Sequence, residues 1–239
     1  MQALVLAAGR GQRLQPLTDR IPKALVEVGG VTQLERTLSV LEAAGVQRIV
    51  VNTHHHAEQI ESWLAGRSSA AEILVSREQE EPLETGGGLV HARHLFYEDA
   101  PILVHNVDII TSVDLKALLE IHDPSRCLAT LAVQERPTVR YLLFDEVGLQ
   151  GRLDVREGRR VESRPAVGTV RTLAFSGIHI VSGTVFELVE ESGAFSVIDL
   201  YLRLSGEGSL IEPFDVTTAE WLEIGTPERL RAARQTLSN

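Results

Sequence analysis

Glycine and basic residues combine in one short segment of the sequence. An apolar run over 3–7 leads directly into LAAGRGQRLQPLTDRIPKAL, residues 6–25. Glycines at 9 and 11 permit positive φ angles and let backbone N–H groups approach an anion closely. The basic residues of the segment are Arg10, Arg13, Arg20 and Lys23. Because this positive charge converges on a backbone cradle within an acidic chain, the segment favours binding of a triphosphate. The alternative is a tight turn flanked by solvated arginines.

Two familiar phosphate-binding motifs do not match this loop. A dinucleotide fingerprint needs a third glycine where Leu14 stands, and a P-loop needs Gly-Lys followed by Ser or Thr, which the sequence lacks. The second predicted strand ends in Asn52 and Thr53 rather than in a ribose-binding acid. A dinucleotide-dependent reductase is therefore disfavoured.

A carboxylate ends another buried strand, PILVHNVD, residues 101–108. Asp108 is expected at the carboxyl edge of a parallel sheet, where open α/β sheets bind their ligands. A carboxylate there suits Mg²⁺, which takes one or two carboxylates together with phosphate oxygens. Asn106 lies two residues earlier, on the same face of the strand. The alternative is that Asp108 only caps the following loop.

Other reactive residue types are interpreted as structural. His54, His55 and His56 would alternate in direction on an extended segment, so they cannot easily ligate one ion, and we expect them to pack at a loop and helix start. The single cysteine, Cys127, lies in an apolar strand pattern and is expected to be a buried, unreactive thiol. Trp221 is expected in the core.

Composition restricts the class of protein. The chain has 239 residues, 44% of them hydrophobic, with 23 Lys and Arg against 33 Asp and Glu and a net charge of −10. Such a chain can bury a core, and its charge disfavours nucleic acid as a partner. The sequence has neither a secretory signal pattern nor an apolar run long enough to cross a membrane, so we expect a cytoplasmic protein with no membrane partner.

The elements that must position these residues alternate between strands and helices. Apolar strand patterns occupy residues 3–7, 48–53, 71–77 and 101–108, and helical spacing occupies 32–45, 57–66 and 86–96. This alternation predicts an α/β fold, with a three-layer, Rossmann-like, mostly parallel sheet and helices on both faces. Beyond about residue 123, strand patterns without comparable helices predict a small mixed β lobe. Further helical patterns follow at 183–192, 197–206 and 226–237.

Several motifs resemble, in order and spacing, those of the sugar-1-phosphate nucleotidyltransferases, also called NDP-sugar pyrophosphorylases. LAAGRGQRL, PLT and PKAL match the family signature, and VEVGG, PLETGGG, NVD, FSG and WLEIGTPE extend the resemblance over nearly the whole chain. The resemblance implies one nucleotidyltransferase domain over 1–239. Its parts would be a nucleotide-binding lobe at about 1–123, a sugar-phosphate-binding lobe at about 124–225 and a closing helix at 226–239.

The resemblance also implies a reaction and its partners. A sugar 1-phosphate oxygen would attack the α-phosphorus of an NTP in line, giving an NDP-sugar and pyrophosphate, with Mg²⁺ as cofactor. The LETGGG form is most similar to members that join N-acetylmuramic acid 1-phosphate to UTP, or heptose or mannose 1-phosphate to GTP. UTP or GTP is therefore favoured, CTP with an aminoalcohol phosphate stays open, and a monomer or homodimer is expected.

By resemblance, the site residues fall into four groups. The catalytic residues are Arg13, Lys23 and Asp108. The nucleotide contacts are Leu6, Ala7, Ala8, Gly9, Arg10, Gly11, Gln12, Arg13, Lys23, Glu78, Thr85, Gly86 and Asn106, with Glu84 as a further possible reader of the base. The sugar-phosphate contacts are Glu162, Arg164, Ser176 and Gly177. The metal ligands are Asp108 and Glu223.

Two positions depart from the family pattern. Val107 stands where glycine usually precedes the metal-binding aspartate, and Glu223 stands where the second ligand is usually aspartate. These departures motivate an alternative from another class, a nucleotide-sugar sensor or regulatory subunit that binds without turnover.

Overall fold

A ten-stranded mixed sheet forms the centre of the computed structural model, which describes residues 1–237. The strands of the protein are β1 Gln2–Leu6, β2 Glu27–Val28, β3 Val31–Thr32, β4 Arg48–Thr53, β5 Glu72–Arg77, β6 Ile102–Asn106, β7 Ile109–Thr111, β8 Ala129–Gln134, β9 Arg140–Asp145, β10 Gly148–Asp154, β11 Arg159–Glu162, β12 Arg171–Val181, β13 Ile211–Asp215 and β14 Trp221–Glu223. The α-helices are α1 Gln33–Ala43, α2 Ala57–Ala65, α3 Glu84–His91, α4 Leu115–Ile121, α5 Val185–Leu188, α6 Val197–Gly206 and α7 Pro227–Leu237.

The first half of the chain builds the parallel part of the sheet, in the order β6-β1-β4-β5. Its central strand is apolar throughout, and Ala3, Leu4 and Val5 are fully buried because helices cover both faces. The chain places β4 on one side of β1 and β6 on the other. The strand order therefore reverses beside β1, and such a switch point opens a crevice at the carboxyl ends of the strands.

The long strand β12 joins the parallel strands to the antiparallel ones. Its last residues pair with β6 and β8, whereas its first residues pair with β9 of the meander β9-β10-β11. The strand β13 lies parallel to β8 at the other edge, and β7 pairs with β14 in a separate two-stranded sheet. The predicted α/β fold with a mostly parallel sheet and a small mixed β part is confirmed, whereas the division into two lobes stays a prediction.

Two hydrophobic clusters give the fold its three layers. On one face, Leu34 and Leu38 of α1 and Ile60 of α2 pack on the sheet, and on the other face Leu89 of α3 and Leu200 of α6 do so. A third cluster joins the loop after β1 to β14 and α7. The helix α7 therefore packs against the loop that follows β1 and contains the two glycines. Across residues 1–237, no helix has the length and apolar character needed to span a bilayer.

Two predicted helices differ from the observed ones. The pattern over 183–192 forms a helix only at Val185–Leu188, because the chain becomes extended at Val189, and the carbonyl of Leu188 accepts a hydrogen bond from Arg203 of α6. The helical pattern over 86–96 forms α3 over Glu84–His91 and then a separate 3-10 turn at Arg93–Leu95, and the glycines of PLETGGG lie inside α3.

Candidate functional site

A cavity of about 360 Å³ lies at the switch point, over the carboxyl ends of β1 and β6. The residues that line it come from the ends of β1, β4 and β6, from the loops after β1 and β6, from the start of α3 and the loop before it, and from the cap of α6; they are Leu6, Ala7, Ala8, Gly9, Lys23, Asn52, Pro82, Glu84, Thr85, Asn106, Val107, Asp108 and Ser196. The fold thus brings together nine of the residues predicted from the sequence, namely Leu6, Ala7, Ala8, Gly9, Lys23, Glu84, Thr85, Asn106 and Asp108.

The register of the sheet aligns the polar residues at the floor of this cavity. Leu6 lies between Asn52 on β4 and Asn106 on β6. The side chain of Asn52 accepts a hydrogen bond from the backbone N–H of Ala8 at 2.9 Å. This bond fixes the chain where it leaves β1 and turns into the glycine loop.

The two glycines of the loop differ in conformation. Gly11 has φ +64°, and Thr18 donates from its hydroxyl to the carbonyl of Gly11 at 2.8 Å. Gly9 does not adopt a positive φ, so that part of the prediction is wrong for Gly9 and confirmed for Gly11. A Cβ at position 9 would meet no heavy atom of the described residues within 4 Å. Gly9 is therefore not required by packing, and it leaves its backbone open to the cavity.

An ion pair between Lys23 and Asp108 crosses the mouth of the cavity. Lys23 opens a short 3-10 turn after Pro22, and Asp108 lies in the turn between β6 and β7. Lys23 Nζ donates to Asp108 Oδ2, and the two side chains are only 13% and 19% exposed. The cavity therefore holds a sheltered ammonium and a sheltered carboxylate in direct contact.

A second carboxylate, that of Glu223, lies on β14, which pairs with the strand that begins just after Asp108; Glu223 is not among the residues that line the cavity. Glu223 pairs with Ile109 across β14 and β7, and the next residue, Ile224, donates its N–H to the carbonyl of Asp108 at 3.1 Å. Arg229 forms an ion pair with Glu223, and Arg13 lies 3.4 Å from its Oε1. Gly225 leaves the space for this contact, because a Cβ there would lie 2.1 Å from Glu223 Oε1.

The remaining loop residues lie at the edge of the site. Arg10 forms an ion pair with Glu81, outside the cavity lining. Gln12 opens the 3-10 turn Gln12–Leu14. Arg13 is largely exposed, with its guanidinium directed at Glu223.

One glycine of α3, Gly88, packs closely against a buried carboxylate. Glu78 is buried, and its oxygens accept from the side chain of Asn52 and, at 2.8 Å, from the N–H of Leu83. A Cβ on Gly88 would lie 2.6 Å from Asn52 Nδ2 and 3.0 Å from Glu78 Oε1. Glu78 thus holds Asn52 and the start of α3 in place and does not line the cavity.

Thr85 and Gly86 attach α3 to the segment before α6. The hydroxyl of Thr85 accepts from the N–H of Val197 at 2.9 Å, and the N–H of Gly86 donates to the carbonyl of Phe195 at 2.9 Å. Thr85 lines the cavity, whereas Gly86 is buried behind it.

The predicted sugar contacts divide into two places. Gly177 has φ +76°, and a Cβ there would lie 2.9 Å from Asn106 Nδ2, so this part of β12 adjoins the cavity floor. Ser176 is buried beside it, and its carbonyl accepts from Trp221 Nε1 at 2.9 Å. The other two residues lie on the meander side, where Arg164 forms a two-pronged ion pair with Asp145 at 2.7 and 2.6 Å and Glu162 pairs with Arg160.

The histidine triplet and the cysteine have the structural roles predicted for them. His54 contacts the carbonyl of Glu78 at 3.2 Å, and His55 contacts the carbonyl of Thr18 at 3.1 Å. His56 has φ 55° and begins α2. Cys127 is buried, and burial raises the pKa of its thiol.

Sequence reasoning missed three lining residues. Asn52 was noted only as a departure from the dinucleotide fingerprint, although a polar residue at the end of a strand beside β1 is a usable signal. Pro82 and Ser196 lie on loops that enter the cavity only through the packing of α3 against α6. Pro82 opens the PLETGGG motif, which could have indicated it, whereas no local pattern marks Ser196 as a lining residue.

Comparison with known proteins decides the family. A family model described as nucleotidyl transferase matches residues 2–239. The chain belongs to this family. The predicted family and enzyme class are therefore confirmed.

Two curated relatives match the chain over almost their whole length. The N-acetylmuramate alpha-1-phosphate uridylyltransferase of Caulobacter vibrioides is 33% identical, over 99% of this chain and 96% of the relative. The enzyme of the same name from Neisseria meningitidis serogroup B is 34% identical, over 98% and 97%. The crystal structure of HddC from Yersinia pseudotuberculosis is 26% identical with a TM-score of 0.74, and covers 98% of each chain. The two curated relatives carry the names of enzymes, so they do not support the sensor alternative for this nucleotidyltransferase.

Proposed function

We propose that this nucleotidyltransferase joins an NTP to a sugar 1-phosphate, releasing pyrophosphate and forming an NDP-sugar. The observation that carries the proposal is the Lys23–Asp108 pair at the mouth of a switch-point cavity, next to the open backbone of Gly9. Phosphoryl chemistry of this kind needs charge neutralisation and alignment more than a protein nucleophile.

Different residues bind the triphosphate, the α-phosphorus at which the reaction occurs, and the leaving pyrophosphate. A phosphate oxygen of the sugar 1-phosphate forms a new bond to the α-phosphorus, and the bond from the α-phosphorus to the β-phosphate bridging oxygen breaks. The backbone from Gly9 to Gln12 binds the triphosphate, and Arg13 stabilises the leaving pyrophosphate. Lys23 contacts oxygens on the α-phosphorus, where charge builds up as the bond order changes.

Asp108 and Glu223 would hold the metal ion. Asp108 comes from the turn before β7 and Glu223 from the strand paired with β7, and two carboxylates are a hard oxygen donor set, which suits Mg²⁺ completed by phosphate oxygens. Bound there, the ion would supply charge neutralisation at the phosphates. Each carboxylate already has a cationic partner: Lys23 pairs with Asp108, and Arg13 and Arg229 pair with Glu223.

The substrates are proposed from the relatives and from the walls of the cavity. Both curated relatives are named N-acetylmuramate alpha-1-phosphate uridylyltransferase, and these names support UTP and N-acetylmuramic acid 1-phosphate as the proposed substrates. The nucleoside would lie against Thr85 and Asn106, and the sugar against Ser176 and Gly177. We assign no sugar contact to Glu162 or Arg164, because their partners lie on the meander. We propose the cytoplasm as the compartment, where a single free thiol such as Cys127 is typical.

The test is pyrophosphate release with Mg²⁺ across four NTPs and a panel of sugar 1-phosphates. Lys23→Ala should lower kcat by about 100-fold or more, because one electrostatic contact to developing charge is worth roughly that factor. Lys116→Ala is the matched control, since Lys23 and Lys116 are the two lysines of the chain, and it should keep full activity. Circular dichroism and the Tm of both variants check the fold.

Three outcomes would count against the proposal. Release from an NTP without any sugar phosphate would indicate a hydrolase. Near-normal kcat in Lys23→Ala would remove that residue from the chemistry. Binding of an NTP without turnover across the whole panel, unaffected by chelation of the metal, would favour a sensor.

A further inference from the structure

The half-buried guanidinium of Arg136 has no acidic partner within residues 1–237. Arg136 follows β8; its Nη2 donates to the carbonyl of Phe175 at 2.9 Å and its Nε to Gln134 Oε1 at 3.2 Å. Its Cζ lies 3.5 Å from the centre of the Trp221 ring. The arrangement fixes the plane of the guanidinium on the indole ring.

The charge of Arg136 is poorly compensated. Burial, together with the like charge of Arg229, lowers the pKa of Arg136 to about 10. By contrast, Arg67 and Arg203 each contact two carboxylates, and these contacts raise the pKa of both. A sheltered cation without a counter-charge is costly to keep. The Nη1 atom of Arg136 donates to no group among the described residues, so the N–H groups on that edge of the guanidinium can bind a ligand.

The position of Arg136 relates it to the proposed reaction centre. Trp221 and Glu223 are two residues apart on β14, so their side chains lie on the same face, roughly 7 Å apart along the strand. Trp221 also donates to the carbonyl of Ser176, beside the proposed sugar contacts. Arg229 bridges the two places, because it pairs with Glu223 and its charge acts on Arg136. Arg136 therefore lies on the sugar side, beyond the metal carboxylates.

We propose that Arg136, stacked on Trp221, binds a carboxylate carried by the sugar ring, so that the enzyme selects an acidic sugar 1-phosphate. This inference rests on the proposed function. A planar guanidinium held flat matches a carboxylate with two parallel hydrogen bonds, and the arriving anion supplies the missing counter-charge. The phosphate of the same substrate lies at the other end of the sugar, near Lys23 and the two carboxylates.

The test compares two sugar phosphates that differ only in charge. The probes are N-acetylmuramic acid 1-phosphate and its neutral carboxamide, assayed with the NTP that supports turnover. The wild type should favour the acid by about 10- to 100-fold in kcat/KM, which is the usual range for a hydrogen bond to a charged group. Arg136→Gln should lose that preference through a lower kcat/KM for the acid, while the value for the carboxamide changes by less than about threefold.

Arg93→Gln is the matched control. Arg93 also lies over an aromatic ring, that of Phe186 at 5.3 Å, and donates to a backbone carbonyl, but it belongs to another surface of the protein. This variant should keep the wild-type preference. Arg136→Lys keeps the charge without the planar fork and should retain part of the preference. It carries the same test if Arg136→Gln does not fold.

Three results would overturn the inference. One is equal use of acid and carboxamide by the wild type, and another is an equal loss on both in Arg136→Gln, which would assign Arg136 to the shared phosphate or to folding. If the wild type turns over neither probe nor any other sugar phosphate, the proposed function fails, and calorimetric binding of the two probes decides the inference. Equal affinity for both, or for neither, is then the third overturning result.

Discussion

Gly9 and Gly11 belong to the same loop but are needed for different reasons. Gly11 has a left-handed conformation, and a Cβ there would lie 2.7 Å from Thr18 Cγ2. Gly9 has an ordinary φ and open space around it among the described residues. The sequence shows the same residue type twice, but only Gly11 is required by the fold.

Gly9→Ala should therefore separate binding from stability. We expect the free energy of unfolding to change by less than about 0.5 kcal/mol, as at an unconstrained surface position. NTP affinity should fall about tenfold or more, because a methyl group would stand where the phosphates approach the backbone. Urea unfolding and calorimetric titration with the NTP measure the two effects.

Gly11→Ala provides the opposite control. It should destabilise the fold by about 1–3 kcal/mol through the left-handed backbone and the clash with Thr18. A stable Gly11→Ala protein, or a Gly9→Ala protein with unchanged affinity, would contradict this division of roles.

At the scale of elements, the meander depends on the ion pair of Arg164 with Asp145. The Asp145 side chain is fully buried, and the hydrogen bonds from Arg164 are the main reason that its pKa lies well below the usual range. Arg164 also donates to the carbonyl of Gly148, so it ties β9, β10 and the chain after β11 together.

Arg164→Ala should cost about 3 kcal/mol of stability, because it leaves a buried carboxylate without its cation. The KM for the sugar 1-phosphate should stay within about twofold at a temperature where the variant is folded. Chemical denaturation and steady-state kinetics check both. Arg160→Ala, which removes an exposed pair with Glu162, should cost under about 1 kcal/mol. A selective rise in KM in Arg164→Ala would return Arg164 to the sugar site.

At the scale of the whole molecule, three buried histidines, His105, His122 and His179, have a pKa that burial lowers, and they make the fold sensitive to mild acid. Burial lowers the pKa of His179 to about 3 and that of His105 to about 4, against an ordinary value of 6.5. At a pH between the lowered pKa values and 6.5, these two histidines bind protons in the unfolded chain but not in the folded one. Their contribution is therefore complete above pH 6.5 and is lost as the pH falls below it, by about 2 kcal/mol per histidine at pH 5.

His179→Phe should remove about 2 kcal/mol of this loss between pH 7.5 and pH 5, measured as the free energy of unfolding in urea. Neither ring nitrogen of His179 has a hydrogen-bond partner among residues 1–237, so the change breaks no bond. The exposed His94 serves as the control, and His94→Gln should leave the pH dependence unchanged. Identical pH dependence in His179→Phe would mean that His179 is not the titrating group.

The sequence was most informative where the determinants are local. The apolar run of β1, the helical spacing of α1 and the Thr226 cap before α7 each predict their element, because a few neighbouring residues decide it. The ordered motifs around Lys23 and Asp108 likewise identified the family. The prediction over 183–192 was wrong in length: the chain becomes extended at Val189, and the carbonyl of Leu188 accepts from Arg203, a distant residue that the local pattern does not show.

What the sequence alone determined about this protein is its fold class, its family and the strand ends at which the site residues lie. Only the tertiary structure decided which charged groups meet: Lys23 with Asp108, Glu223 with Arg13 and Arg229, and Arg164 with Asp145. Periodicity and turn chemistry act over a few residues and are visible in the order of the chain. Ion pairs between residues far apart in sequence depend on strand order and register, which only the packed sheet establishes.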